Sequence, residues 1–254
     1  MMGHWKIASG KIVGRYHMKR EIPCQDSTYC ISENGITVAT LADGAGSCAR
    51  SHEGAAIATK RCAQVLTERF TDFIEMTEQE IVEVMLDEIV TAIRNYDPAT
   101  ISLKPFSSTL LFVAVDGEYF LAGHLGDGVI GCQEEENHRV LSFPENGEFT
   151  NATFFTTSVD AHHHFRIYRE KINQKRGFIL MSDGSAESLF HRQEKTIADG
   201  AKKMMGWLAQ YPAEVVEEAI QRNLENVIRD RTYDDCAIAL LQLSLEEDVG
   251  IEGR

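Results

Sequence analysis

The amino-acid sequence predicts an α+β protein with two central antiparallel sheets flanked by helix pairs, a four-layer α-β-β-α sandwich. The first observation is the order of segments, which runs strands, two helices, strands, two helices and a last strand. Segregated runs of this kind favour antiparallel sheets over a doubly wound parallel sheet. The second is that no repeat, low-complexity stretch or Pro/Gly/Ser-rich linker divides the chain. We therefore expect a single domain over residues 1–250.

The N-terminal part of the chain alternates short apolar runs with turn residues and is predicted to form strands. We place these strands at Trp5–Ala8, Lys11–Tyr16, Ser27–Ile31 and Ile36–Leu41. Asn34 and Gly35 stand between the last two runs, and this dipeptide is typical of a tight β-hairpin. The third and fourth strands are therefore expected to pair.

Two amphipathic helices are predicted next. Apolar residues recur at helical spacing from Ala55 to Phe70 and again from Ile81 to Ile93. Thr77, with Glu80 three residues later, matches a capping box at the start of the second helix. We interpret both apolar stripes as faces that pack into the core.

The second half of the chain repeats the order of strands and helices. Strands are predicted at Ser108–Val115, Tyr119–His124, Val129–Gln133, Gly177–Met181 and Cys236–Leu243, and helices at Thr196–Gln210 and Ala213–Arg229. Glu134–Lys175 is polar and weakly periodic, so we predict a loop-rich insertion there with one or two short strands. Its three consecutive histidines, His162–His164, are interpreted as a solvated loop, because adjacent side chains cannot all face one site.

Charge and composition exclude several classes of protein. The 254 residues carry 25 Lys and Arg against 39 Asp and Glu, a formal net charge of −14, and 43% are hydrophobic. That fraction supports a folded core, and the acidic surplus repels nucleic acid and anionic membranes. No apolar run approaches the ~20 residues that span a bilayer, and no signal-peptide pattern opens the sequence. We expect a cytoplasmic protein that binds neither nucleic acid nor membranes.

The six cysteines are scattered without a C-x-x-C pair, which argues against a zinc site and a disulfide framework. Clustered carboxylates are the better candidate ligands, and they suit hard divalent cations. The last four residues, Ile251–Arg254, spell a protease-cleavage sequence of the kind carried by expression vectors. We exclude them from the fold prediction.

Aspartates stand where the predicted strands begin or end. They are Asp26, Asp43, Asp127, Asp183 and the pair Asp234-Asp235, and three of them are followed by glycine. A strand that ends in Asp-Gly can hold a carboxylate rigidly while the glycine lets a ligand approach. Several such ends brought together would form an all-oxygen site suited to Mg²⁺ or Mn²⁺. Taken singly, each Asp-Gly is equally well explained as an ordinary turn.

The order of short motifs along the whole chain decides between these readings. The motifs are Gly14-Arg15-Tyr16-His17, Pro23-Cys24-Gln25-Asp26, Ala42-Asp43-Gly44-Ala45-Gly46-Ser47, Ser107-Ser108-Thr109-Leu110, Gly126-Asp127, Met181-Ser182-Asp183-Gly184 and Asp234-Asp235-Cys236-Ala237. This series resembles that of the metal-dependent type 2C serine/threonine protein phosphatases. The Pro-Cys-Gln-Asp form of one motif is similar to a bacterial branch of that family.

The resemblance implies a metal centre and a role for each aspartate. Two Mg²⁺ or Mn²⁺ ions are expected per chain, with a weaker third. Asp43 would bridge the two ions, the Gly44 carbonyl would ligate one, and Asp183 and Asp234 would hold the other. Asp26 would contact the centre directly or through water. Asp127 would bind the third ion together with Asp183, and Asp235 is expected to orient Asp234.

The implied activity is hydrolysis of phosphoserine and phosphothreonine in proteins by a water that the metal pair activates. We place Asp26, Asp43 and His17 in the catalytic set. A cognate serine/threonine kinase, or that kinase's targets, would be partners besides the phosphoprotein substrate.

Three departures from the family pattern support an alternative, a non-catalytic binding or signalling module. Glu21 stands where some members have a phosphate-binding arginine, and His17, Lys19 and Arg20 are the basic residues nearby. Ala45 replaces a histidine that is a candidate proton donor, and Gln25 replaces an acid. The general acid is therefore not assigned from the sequence.

Overall fold

The computed structural model describes residues 3–145 and 153–245 of the chain; the predicted tail Ile251–Arg254 lies outside them. The strands are β1 Gly3–Ile12, β2 Ser27–Glu33, β3 Ile36–Ala42, β4 Leu110–Val115, β5 Tyr119–Leu125, β6 Val129–Glu134, β7 Asn137–Ser142, β8 Arg166–Lys171, β9 Lys175–Met181, β10 Phe190–His191, β11 Thr196–Ile197 and β12 Cys236–Leu245. The α-helices are α1 Arg15–Met18, α2 Ser51–Glu75, α3 Glu78–Tyr96, α4 Ala161–His164, α5 Asp183–Leu189, α6 Asp199–Met205, α7 Trp207–Gln210 and α8 Ala213–Asn223.

Two five-stranded antiparallel sheets form the centre of the molecule. One has the strand order β1-β12-β9-β6-β7 and the other β2-β3-β4-β5-β8. The predicted hairpin at Asn34-Gly35 joins β2 to β3, and both residues have the positive φ that a tight turn needs. A separate two-stranded hairpin, β10-β11, lies outside both sheets.

Three apolar clusters define the layers. The middle cluster joins the two sheets, where Phe120 and Phe178 have ring centres 5.1 Å apart. The second packs α2 and α3 against the β2-β3-β4-β5-β8 sheet, and the third packs α5 to α8 against the other sheet. The predicted α-β-β-α sandwich is thereby confirmed.

The helices α2 and α3 pack as their apolar periodicity predicts. On their inner faces, Ala58 and Leu66 of α2 and Ile81 and Ile89 of α3 are fully buried. Thr77 caps α3 as part of a complete capping box with Glu80. No helix within the described ranges is long and apolar enough to cross a membrane.

The predicted strand at Lys11–Tyr16 is wrong. β1 is one continuous strand that ends at Ile12, and the next residues form the helical turn α1. Gly14 approaches the 234–235 backbone so closely that a β-carbon there would lie 2.2 Å from the Asp234 carbonyl oxygen. This crossing turns the chain out of the sheet and towards the end where the aspartates lie.

The C-terminal helices are also shorter than predicted. The helix expected over Thr196–Gln210 divides into the strand β11 and the helices α6 and α7, with Gly206 between the two helices. The helix expected over Ala213–Arg229 ends at Asn223, and a π-helical turn and a 3₁₀ turn follow it. The prediction also missed α5, which begins at Asp183 and is only seven residues long.

The segment Glu134–Lys175 contains two strands, as predicted, but they belong to different sheets. β7 is the edge strand of one sheet and β8 the edge strand of the other. The prediction of a solvated loop at His162–His164 is confirmed in part: His162 and His163 are exposed, but the residues form the helical turn α4 and His164 is half-buried. His164 stacks on Phe154 with ring centres 3.4 Å apart and bonds to Glu145 Oε1 at 2.9 Å.

Candidate active site

The predicted acidic residues converge at one end of the sandwich, where strands of both sheets begin or end. A cleft of about 640 Å³ opens there. The site residues predicted from the sequence that line it are His17, Asp43, Gly44, Asp127, Asp183 and Asp234. Asp26 lies behind this lining and is 1% exposed, yet it is close enough to raise the pKa of Asp43.

Asp43 is positioned by backbone contacts at the end of β3. Its amide donates to Thr109 Oγ1 at 2.8 Å, and the Thr109 amide donates back to the Asp43 carbonyl at 2.8 Å. The Gly44 amide donates to the Gln25 carbonyl at 3.1 Å. A β-carbon on Gly44 would lie 2.8 Å from the Ser51 backbone, so the close approach requires glycine.

Asp183 is the first residue of α5, directly after β9. Its Oδ1 accepts a hydrogen bond of 2.6 Å from the Gly184 amide. Ser182 ties this strand end to β12: its amide donates to the Ala237 carbonyl at 3.1 Å, and its Oγ accepts from the Ala237 amide at 2.9 Å. The carboxylate is therefore fixed relative to the start of β12.

Asp26 is a buried carboxylate without a hydrogen-bond donor. Both of its side-chain oxygens lack a partner within the described residues, although the Ser182 hydroxyl is near enough to lower its pKa somewhat. Burial, followed by the charges of Asp235 and Asp183, raises the pKa of Asp26 well above its ordinary value. A buried charge left unpaired is costly, so this carboxylate is suited to bind a cation or a proton.

Burial, and then the charges of neighbouring aspartates, also raise the pKa of Asp43 and Asp183, two of the carboxyls that line the cleft. Enclosure by the protein is the first cause for Asp43, followed by the charges of Asp183 and Asp26, and its pKa lies well above the ordinary value. The pKa of Asp183 rises to about 7, because of burial and then the charges of Asp234 and Asp127. The aspartates therefore interact as one electrostatic group.

Asp127 and Asp234 lie nearer the mouth of the cleft. Asp127 is half-buried on the turn between β5 and β6, where its Oδ2 accepts a hydrogen bond of 2.7 Å from Thr153. Asp234 is exposed, and its Oδ1 accepts from the Asp235 amide at 3.0 Å. Both carboxylates keep oxygen atoms accessible to the cleft.

Asp235 contacts Asp234 through its backbone amide, in keeping with the expectation from the sequence, while its carboxylate has other partners. Its Oδ1 accepts from the Gly14 amide at 2.6 Å, and its Oδ2 accepts from the Gln25 amide at 2.6 Å. His17 Nδ1 donates to the same Oδ2 at 2.9 Å. Asp235 therefore fastens the first two motifs to the end of the chain's last loop.

His17 is brought to the cleft by the helical turn that the sequence did not predict. It is 5% exposed and lines the cleft, with Nδ1 bound to Asp235. The hydrogen bond at Nδ1 directs the ring, so Nε2 is the nitrogen left for another contact. Of the three basic residues considered in place of the missing arginine, only His17 is among the cleft residues.

The oxygen donors of the cleft are of the type that a hard divalent cation prefers, but their present spacing suits such an ion less well. As placed, no group of three His, Cys, Asp or Glu side chains in ranges 3–145 and 153–245 would hold a metal ion. Carboxylates of like charge repel unless a cation lies between them. The cleft nevertheless offers carboxylate and carbonyl oxygens, and Asp26 presents two unpartnered ones. Oxygen donors of this kind suit Mg²⁺ and Mn²⁺.

Sequence reasoning missed several residues that shape the cleft. Tyr16, Tyr233 and Phe155 line it, and Thr153 also does. Tyr16 stands inside the motif Gly14-Arg15-Tyr16-His17 and Tyr233 directly precedes Asp234, and these positions were the available signal. Thr153 and Phe155 lie in none of the motifs.

Comparisons with known proteins agree with this arrangement. A family model described as Protein phosphatase 2C matches residues 13–229. Serine/threonine-protein phosphatase 3 of Escherichia coli (strain K12) is 23% identical over 167 residues, and the match covers 62% of this chain and 64% of that protein's length.

Solved structures give the same fold. A bacterial serine phosphatase aligns with a TM-score of 0.66 at 11% identity, covering 96% of this chain and all of that one. The S. agalactiae serine/threonine phosphatase aligns with a TM-score of 0.61 at 16% identity, with 96% of this chain and 100% of that chain covered. At such identities the likeness establishes the fold alone.

Proposed function

We propose that this chain, which belongs to the Protein phosphatase 2C family, hydrolyses phosphoserine and phosphothreonine in proteins with the help of bound Mg²⁺ or Mn²⁺. The observation that carries the proposal is the group of carboxylates around one cleft, with Asp26 buried and unpartnered behind it. A chain that used its Asp-Gly pairs only as turns would have no reason to keep such a carboxylate. Its burial costs stability unless a cation compensates the charge.

The metal ligands that we propose are those that the resemblance to the family implies, and the cleft brings most of them together. Asp43 would bridge two ions, the Gly44 carbonyl would bind one, and Asp183 and Asp234 would bind the other. Asp26 would complete the centre directly or through water. Bound there, the ions would lower the pKa of a water molecule and neutralise charge on the phosphoryl group.

Asp127 would supply a weaker third site together with Asp183. Its Oδ2 already accepts a hydrogen bond from Thr153, which leaves one oxygen for an ion. A carboxylate shared with a hydroxyl donor is a weaker ligand than one that is free. This site is therefore expected to fill at higher metal concentration than the central pair.

The protein's own residues would orient the substrate. His17 is held by Asp235 with Nε2 free, so it is placed to bind a phosphate oxygen or the leaving group's oxygen. Ala45 carries no proton donor, so a proton for the leaving group must come from His17 or from water. Asp43 and Asp26 make the catalytic set with His17, because they would position the attacking water.

The alternative is a binding or signalling module that keeps the fold without catalysis. Gln25 favours it, because its buried Oε1 lacks a partner among the described residues where an acid would add a ligand. The presence of Asp26, Asp43, Asp183 and Asp234 counts against it. In either case the partner we propose is a phosphorylated protein, with a cognate kinase or its targets as further candidates, and a cytoplasmic location stays a prediction.

Phosphate release from a phosphothreonine peptide and from p-nitrophenyl phosphate, with and without Mn²⁺, tests the proposal. We expect turnover with Mn²⁺ or Mg²⁺ that EDTA abolishes and added metal restores. Activity that survives complete chelation would contradict the metal mechanism. Binding of Mn²⁺ without turnover of either substrate would favour the alternative.

A further inference from the structure

Two arginines and two tyrosines form a rim beside the cleft, which we call the arginine–tyrosine rim: Arg15, Tyr16, Arg20 and Tyr233. The Cζ of Arg20 lies 3.7 Å from the ring centre of Tyr16, and the Cζ of Arg15 lies 4.4 Å from that of Tyr233. Both tyrosines line the cleft, whereas neither arginine does. The rings are exposed, at 48% for Tyr16 and 66% for Tyr233.

The rim is held beside the site by a backbone hydrogen bond and a side-chain hydrogen bond. The Tyr16 amide donates to the Tyr233 carbonyl at 3.0 Å, and Arg15 Nε donates to the Thr232 carbonyl at 2.7 Å. The neighbouring Asp235 carboxylate fixes Gly14 and His17. The rim therefore has a defined position relative to His17, which lines the cleft.

The two guanidinium groups are not neutralised. Neither Arg15 nor Arg20 forms an ion pair with a carboxylate in residues 3–145 and 153–245, whereas Arg50, Arg61 and Arg139 do. Stacking on an aromatic ring orients a guanidinium and leaves its N–H edge free for a carboxylate.

The charges around the rim are of both signs. Lys19 is exposed on the same turn, and Arg229 Nη1 approaches Met18 Sδ at 3.6 Å. The acidic residues adjacent in sequence are Glu21, Asp230, Asp234 and Asp235; Asp234 lines the cleft, and the Asp235 carboxylate is bound by Gly14, Gln25 and His17. Arg15, Lys19 and Arg20 therefore form a local basic group on a chain with a formal net charge of −14, and such groups direct a negatively charged partner to one place.

We infer that the arginine–tyrosine rim binds carboxylate side chains next to the phosphorylated residue, so that the preferred substrates are phosphoprotein segments with acidic flanks. This inference rests on the proposed phosphatase function of the cleft. Because the arginines stand outside the cleft lining, they contact the substrate chain and not the scissile phosphate. The tyrosine faces give the peptide a surface to lie on between the arginines and the metal ligands.

The test compares two phosphothreonine peptides that differ only in their flanks, with Asp and Glu in one and Asn and Gln in the other. Proteins to be assayed are wild type, Arg20→Gln, Arg15→Gln/Arg20→Gln and Arg176→Gln. Arg176 is the matched control, a half-exposed arginine on β9 at the end opposite Asp183, without an ion pair among the described residues. p-Nitrophenyl phosphate measures the chemistry alone.

Wild type is expected to prefer the acidic peptide, and the double variant to lose roughly fivefold in kcat/KM on that peptide through KM, since two exposed ion pairs are removed. Turnover of the neutral peptide and of p-nitrophenyl phosphate should stay unchanged, as should all three activities of Arg176→Gln. The preference of wild type should weaken with added salt. Arg20→Gln alone should lose part of the preference, and its guanidinium makes no hydrogen bond within the described residues that folding would need.

Three results would overturn the inference: no preference in wild type, equal loss on all three substrates in the double variant, or the same loss in Arg176→Gln. If wild type turns over nothing with Mn²⁺, the proposed function fails instead. Fluorescence anisotropy with labelled peptides then decides the inference separately. Tighter binding of the acidic peptide that Arg15→Gln/Arg20→Gln weakens would still support the rim, and equal binding of the two peptides would refute it.

Discussion

The floor of the cleft, formed by Asp43, Gly44 and Thr109, is fixed by backbone contacts. The wall segment, residues 153–165, is held mostly by side chains. On the floor, the Asp43 and Thr109 backbones are bound to each other and Gly44 is pressed against the Ser51 backbone. In the wall segment, His164 stacks on Phe154, and other side chains bond to Asp127 and Ser107.

This difference predicts different roles for the floor and the wall segment in catalysis and in substrate selection. A floor built from backbone contacts cannot move one ligand without moving the strand that carries it. The wall segment is joined to the strands by a few side-chain contacts and a backbone bond, from the Thr156 amide to the Ser108 carbonyl at 2.8 Å, so it can change shape more easily while the strands stay in place. Variants of the floor are therefore expected to affect every substrate, and variants of the wall to affect large substrates more than small ones.

Asp43→Ala should have the largest effect, because it removes the proposed bridging ligand from the floor. We expect at least about 100-fold loss of kcat on every substrate and loss of high-affinity Mn²⁺ binding by calorimetry. Asp127→Ala, the comparison at the mouth, should keep the two central ions and lose only the weaker third. Equal Mn²⁺ stoichiometry in wild type and Asp43→Ala would contradict the assignment.

Gly44→Ala should be the next largest, because its β-carbon would lie 2.8 Å from the Ser51 backbone and 2.9 Å from the Gln25 carbonyl oxygen. Overpacking of this kind costs about 1–3 kcal/mol, so we expect a lower Tm together with lower activity. Gly46→Ala is the matched control, since its nearest neighbour would be 3.8 Å away. If the two variants have the same Tm and the same activity, the floor is less rigid than these contacts imply.

His164→Ala changes the wall segment and should have a smaller, selective effect. It removes the stack on Phe154 and the hydrogen bond to Glu145. We expect activity on a phosphoprotein to fall roughly threefold while activity on p-nitrophenyl phosphate changes little, since loops at a site often select the substrate. His162→Ala, an exposed neighbour, serves as control. Parallel changes on both substrates would show that the wall segment does not select.

The smallest effect is expected behind the wall, where His124 bonds to Ser142 Oγ at 2.7 Å and Tyr168 bonds to the same oxygen at 3.1 Å. Burial holds the pKa of His124 well below its ordinary value. The unfolded chain protonates near pH 6.5 and the folded one does not, so stability falls as the pH drops below about 6.5.

The measurement is unfolding by urea from pH 7.5 to 5 in wild type and His124→Gln. The difference in unfolding free energy between them should change with pH by at most about 1.4 kcal/mol per pH unit, the limit for one proton. Taking this difference cancels the site carboxylates, whose raised pKa values act in the opposite direction. A difference that does not vary with pH would show that His124 has the same pKa in the folded and the unfolded protein, and would contradict the lowered value.

The order of the motifs predicted which aspartates lie around the cleft, because local sequence determines where a strand ends. Asp43 and Asp183 each follow an apolar run, and both lie where those strands stop. The sequence did not predict α1, because a four-residue turn has too little periodicity to be recognised. It also did not predict that Asp235 binds Gly14 and His17, residues more than 200 positions away.

The sequence by itself determined the layers, the strand-end aspartates and the two core helices, since each depends on hydrophobic period or on a turn residue beside it. Only the tertiary structure decided that β7 and β8 belong to different sheets and that Arg15 and Arg20 stack on tyrosines. The reason is physical: pairing of edge strands and contacts between loops depend on which distant segments arrive together. That information is held in the packing of the whole chain and not in any one stretch of it.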